Sequence, residues 1–285
     1  MGVKVLTDST SYINKEVTTA LDIEIVSLSV IFENESFRET DLDNNDFYEM
    51  MDAKGIPTSS QPSIDEFYSK MEKVVKQGDD LLCIFLSSEM SGTYSTAHIA
   101  RDMVLEHYTN ANIEILDSRS NSMQLGFAVI VAARAAKEGK ALDEVKNTAK
   151  DNIRRSRFLF IPDSLKYLQK GGRIGTASAL LGNFFKIIPI LTVKDGVTTI
   201  LTKVRTKKKA IITMVDTMLK DIEDYGLTEI IVHHINCYEE AKELAYTIGE
   251  KLNIDISVCA LGPVIGLHVG PGTVAIVYYT KKDMR

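Results

Sequence analysis

The stretch that most constrains the fold of this 285-residue chain is an uninterrupted apolar run, Leu81-Leu82-Cys83-Ile84-Phe85-Leu86. It gives way to a turn sequence, SSEMSGTYSTA, at residues 87–97. A short run with no polar alternation, ending in a turn, predicts a strand buried on both faces. Beyond the turn, Ala97, Ala100, Met103, Val104 and His107 recur at helical spacing. The serine/glycine stretch therefore joins the carboxyl end of a buried strand to a helix, which is where ligands bind in open α/β sheets. Its hydroxyls and Gly92 suit an anionic head group at a helix N-terminus. They equally suit a plain N-cap cluster.

The same grammar repeats on either side. Residues 3–6 predict a strand that ends in Thr7-Asp8-Ser9-Thr10-Ser11, and residues 23–32 predict a second strand. Asp41-Leu42-Asp43-Asn44-Asn45-Asp46 looks like half a calcium loop, but Asp46 stands where the loop glycine belongs, so a helix start is expected. Thr58-Ser59-Ser60-Gln61-Pro62-Ser63 is another hydroxyl-rich turn, before a helix whose apolar face is Phe67, Met71, Val74 and Val75. Residues 113–116 predict a strand running into Asp117-Ser118, with two helices after it. Alternating strands and helices make a mostly parallel sheet with helices on both sides. The basic run Arg154-Arg155-Ser156-Arg157 marks the expected boundary, giving domains 1–156 and 157–285.

In the second half strands are denser. A hairpin is expected through Lys194-Asp195-Gly196, further strands near 158–161, 229–233, 256–261 and 274–279, and helices at 177–184, 207–222 and 238–252. A mixed sheet of about six strands follows.

Several function classes are excluded early. Net charge is −6 and the one basic block is Lys207-Lys208-Lys209, so nucleic acid is a poor partner. Cys83, Cys237 and Cys259 lie far apart with no zinc spacing, which predicts buried thiols in a reducing, cytoplasmic setting and no metal site. The first residues enter a strand without a signal peptide, and no apolar run spans a membrane. Walker, dinucleotide, HExxH and GxSxG patterns are missing. His268, in the Gly-rich segment 266–272, could pair with Ser91 as a hydrolase, donate a hydrogen bond to an anion, or be a turn histidine. His233-His234 with Cys237 is a weak metal candidate, because neighbours on a strand point oppositely. Arg205 and the lysines after it open a helix, where cations oppose the dipole.

Taken together, these segments resemble the DegV family along almost the whole chain. The resemblance rests on Thr7-Asp8-Ser9, TSSQPS, SSEMSGTYSTA and Asp117-Ser118. It continues through Pro162-Asp163-Ser164-Leu165, Tyr167-Leu168-Gln169-Lys170-Gly171-Gly172-Arg173-Ile174, Pro189-Ile190-Leu191 and IGLHVGPG. It implies two α/β domains and one buried long-chain fatty acid, with no cofactor. The carboxylate would be held by Ser59 or Ser60, Ser91, Gly92 and His268, with Thr58 a further candidate hydroxyl. It also implies that the protein is the acyl-binding partner of a separate DAK-type fatty acid kinase, contacted through Arg173 and Arg205, with transient membrane contact. A Ser91/His268 acyl hydrolase and a lipid carrier without a kinase are the alternatives. Burial of an acyl chain at ~0.8 kcal/mol per methylene suits a dry cavity and needs no catalytic base.

Overall fold

The computed structural model describes residues 2–181 and 187–284. They form two compact units, Met1–Asp41 with Ser59–Ile153, and Leu42–Thr58 with Arg154–Arg285.

The first unit opens with β1 (Val3–Asp8), α1 (Lys15–Ala20), β2 (Ile23–Val26), β3 (Ser29–Phe32) and β4 (Glu35–Arg38). The single strand expected over 23–32 is thus two, and they lie in different sheets. The break falls at Ser27-Leu28, where side chains replace strand partners. The Ser27 amide donates to Glu66 and the Leu28 amide to the Ser9 hydroxyl. The next segment, α2 (Asn44–Lys54), starts where the acidic run predicted a helix, with Asp43 as its N-cap. This helix belongs to the second unit. The chain returns through β5 (Thr58–Ser60), then α3 (Ile64–Lys76), β6 (Asp80–Phe85), α4 (Thr93–His107), β7 (Ile113–Asp117), α5 (Ser122–Lys137) and α6 (Leu142–Arg155).

Four of these strands make a wholly parallel sheet in the order β2-β1-β6-β7. As the apolar run predicted, β6 is buried from Leu81 to Phe85. One face is packed by Phe67, Met71 and Val74 of α3 and by Ala97, Ala100 and Val104 of α4. Phe67 and Phe85 meet edge to face at 5.3 Å, the geometry aromatic quadrupoles favour. Met103, expected in that apolar stripe, is 39% exposed instead. The other face lies against α5, which is buried nearly all round and contacts β1 and β6. A separate three-stranded sheet, β4-β3-β5, was not expected.

The second unit continues with β8 (Ser156–Ile161), α7 (Lys166–Lys170), β9 (Ile188–Lys194), β10 (Val197–Val204), α8 (Lys207–Tyr225), β11 (Leu227–Ile235), α9 (Tyr238–Leu252), β12 (Ser257–Ala260), α10 (Pro263–Val269) and β13 (Thr273–Thr280). The expected mixed six-stranded sheet is present, in the order β10-β9-β8-β13-β11-β12. Its hairpin turns on Asp195 and Gly196, with φ of 52° and 85°. Two left-handed central residues match the right-handed strand twist. The helix expected over 177–184 is a 3-10 segment, Gly175–Leu180, and its last residues lie outside those described. Met214 and Met218 of α8 and Leu244 and Ile248 of α9 form the core against Leu159, Val232 and Ile276.

Candidate functional site

In the first unit three parallel strands deliver their polar ends side by side. At the end of β1, Asp8 is fully buried and accepts from the Thr10 amide, the Thr10 hydroxyl and the Leu86 amide. It ties β1 to the first residue past β6. Burial raises its carboxyl to about 6, against the pull of those three donors. The exits of β6 and β7 are laced together in turn. The Ser87 amide donates to the Ser120 carbonyl at 2.7 Å, and the Ser88 hydroxyl donates to Asp117 at 2.6 Å. These serines are therefore spent on holding the turn.

What remains open is the start of α4. Gly92 is its N-cap and supplies no side-chain cap. Helix N-termini leave amides unsatisfied by the helix and carry partial positive charge. Ser91 turns its hydroxyl toward Thr93, 2.9 Å away, and accepts from the Thr93 amide. Gln61, the residue after β5, lies over this end. Its amide nitrogen donates to the Thr96 hydroxyl, and a Cβ on Gly92 would stand 2.0 Å from its side-chain oxygen. A larger residue would push the Gln61 side chain aside. The structure thus brings the 59–61 segment and the 91–96 turn together, with Ser59 and Ser60 half-buried on β5. Gln61 and Thr96 were not in the expected set. Gln61 was visible as part of TSSQPS, but nothing local indicated that it would dock on a helix 31 residues away.

In the second unit His268 is not in a loop. It sits in the last turn of α10, which starts with Pro263 at its first position and is capped at the far end by Gly270 with φ of 90°. The glycines at 266, 270 and 272 suggested a loop. Here Gly262 precedes the helix, Gly270 follows it, and Gly266 is demanded by packing, since a Cβ would lie 2.5 Å from the Tyr48 hydroxyl of α2. The imidazole of His268 lies against Gly171, where a Cβ would come within 2.2 Å of Nδ1. Burial, and then the charge of Arg173, lower its pKa to about 4. It is neutral at pH 7, an imidazole and not a cation. Arg173 is exposed and donates to the Gly171 carbonyl at 2.5 Å, so the GGR turn and α10 form one cluster. Arg205 is exposed ahead of Thr206, the N-cap of α8. No hydrogen bond or ion pair among the described residues joins it to Arg173 or His268. Of the lysines after it, Lys207 pairs with Glu240 at 2.6 Å.

The other candidates resolve structurally. His233 is fully buried, donates from Nδ1 to the Cys259 carbonyl at 3.0 Å and has its pKa lowered to about 4 by desolvation. His234 packs on the Tyr238 ring. Among the described residues no three His, Cys, Asp or Glu side chains are grouped to hold a metal. Cys83 is buried as expected, whereas Cys237 and Cys259 are only partly so. Among the described residues no helix is long and apolar enough to cross a membrane.

The chain is 63% identical, over the full length of both, to a DegV domain-containing protein of Clostridium acetobutylicum. It is similar in structure to DegV of Bacillus subtilis, described as a fatty acid binding protein, with a TM-score of 0.87, 34% identity, and 99% and 100% of the two chains covered. It is likewise similar to a stearic acid-binding protein from Eubacterium ventriosum, with a TM-score of 0.87, 26% identity and 98% of each chain covered. The DegV family model matches residues 2–281, and the chain belongs to the DegV family.

Proposed function

We propose that this protein binds a long-chain fatty acid and presents its carboxylate to a separate kinase that makes the acyl phosphate. The observation that carries the reading is the docking of Gln61 on Gly92 at the start of α4, whose N-cap residue has no side chain. It assembles amides and hydroxyls, with Ser59 or Ser60 and Ser91 beside them, at a point where partial positive charge is unopposed. In the second unit His268, neutral and held against Gly171, is the residue proposed to hydrogen-bond an anion. That solved relatives in the family bind fatty acids supports the ligand class. Ser91 hydrogen-bonds to Thr93, which favours a binding hydroxyl over a nucleophile.

An organic extract of the purified protein, read by mass spectrometry, should contain one long-chain fatty acid per chain. An empty extract, with no binding when fatty acid is added back, would overturn the reading. The exposed arginines are the proposed contacts for a DAK-type kinase in the cytoplasm, with no cofactor on this chain. Arg205→Ala should retain fatty acid and lose phosphorylation of the bound acid by the kinase. Loss of the lipid itself would instead place Arg205 at the ligand.

A further inference from the structure

The second unit has a surface groove of ≈ 630 Å³ along α9 and the approach to β12. Tyr238, Lys242, Tyr246, Glu250 and Ile254 line it. The first four recur every fourth residue and so share one helix face. The rings are openly solvated: Tyr238 is 53% and Tyr246 68% exposed, and Ile254 is 44% exposed. The opposite face of α9, with Leu244 and Ile248, is in the core. Apolar surface gathered in this way on one helix marks an interaction site.

The sheet edge beside it is the four-residue strand β12. β12 ends the six-stranded sheet, and its sequence, Ser257-Val258-Cys259-Ala260, lacks the lysine or proline that protects edges. The other edge is protected. The Gly175–Leu180 segment lies over β10, where the Ile200 amide donates to the Thr176 hydroxyl and a Cβ on Gly175 would come within 2.0 Å of the Thr198 carbonyl.

The pattern of the exposed face identifies its occupant. About Tyr246 the stripe is complementary to its own reverse. Four residues before it stands Lys242 and four after it Glu250. Neither Lys242 nor Glu250 has an ion-pair partner within its own chain among the described residues. We propose that this face is a self-association surface. Two copies meet on a two-fold axis at Tyr246, with α9 antiparallel to its mate and the two β12 edges aligned. Each Lys242 then faces Glu250 of the other copy, and the tyrosines at 246 stack on the axis. A two-fold perpendicular to the sheet makes the helix pair and the strand pair antiparallel together, as an isologous interface requires.

Sedimentation equilibrium of the full chain, with charge-swapped variants, tests this without reference to lipid. The wild type should be a dimer at micromolar concentration. Lys242→Glu and Glu250→Lys should each raise the dimer dissociation constant about tenfold or more, since each places like charges together twice per dimer. The double variant K242E/E250K should return to within about threefold of wild type. All these positions are exposed, and circular dichroism checks that each variant is folded. A wild type monomeric at ~100 μM, a dimer indifferent to both single swaps, or a double variant that fails to recover would each overturn the proposal. A monomer would leave the groove to an extended peptide from another protein.

Discussion

At Gly92 a single methyl would displace the Gln61 side chain from α4. Gly92→Ala should therefore weaken fatty-acid binding about tenfold while leaving the fold intact, as titration calorimetry on delipidated protein would read. The buried ionisable residues make a second prediction. His233 is held neutral, its pKa lowered from 6.5 to about 4. Between those pH values the unfolded chain binds a proton that the folded chain refuses. Stability contributed by His233 is thus whole above pH 6.5 and is lost as pH falls toward 4, by on the order of 3 kcal/mol. His268 acts in the same direction. Asp8 acts oppositely, because its carboxyl is raised from 3.8 to about 6 and stability falls as pH rises through that window. His233→Asn keeps a donor for the Cys259 carbonyl and removes the titration. Urea unfolding from pH 7 to 4.5 should show a shallower acid decline in the variant by about one proton.

At the scale of elements, the chain was read best where one segment contains its own instructions. The β9–β10 hairpin needs only a two-residue turn with both φ values positive, and Asp195-Gly196 supplies it. Gly196→Ala, forced to keep φ near 85°, should cost about 1 kcal/mol, seen as a lower urea midpoint. The buried polar link between β8, α8 and β13 is of another kind. Tyr278 donates its hydroxyl to Asp221, which also pairs with Arg157 at 2.7 Å. Nothing in the local pattern of α8 distinguishes Asp221 from the solvent-facing acids around it. The same holds for the break between β2 and β3. Its alternation reads as one strand, and it is ended by Glu66 and Ser9, which lie far away in sequence.

For the whole molecule, the proposed ligand would couple to stability. A fatty acid that binds only the folded chain should stabilise it by ~2.7 kcal/mol at one hundred times its dissociation constant. The delipidated protein should therefore melt several degrees lower, and recover on adding fatty acid, in differential scanning calorimetry. The sequence by itself determined the parallel sheet, the mixed sheet, the hairpin and the order of the polar turns, because periodicity and turn chemistry are written in neighbouring residues. Only tertiary structure decided that residues 42–58 join the second unit, that Gln61 sits on Gly92, that His268 ends a helix against Gly171, and that Asp8 is dry enough to hold its proton near pH 6. Each of these depends on contacts between residues distant in the chain, or on exclusion of water, and neither leaves a periodic trace in the sequence.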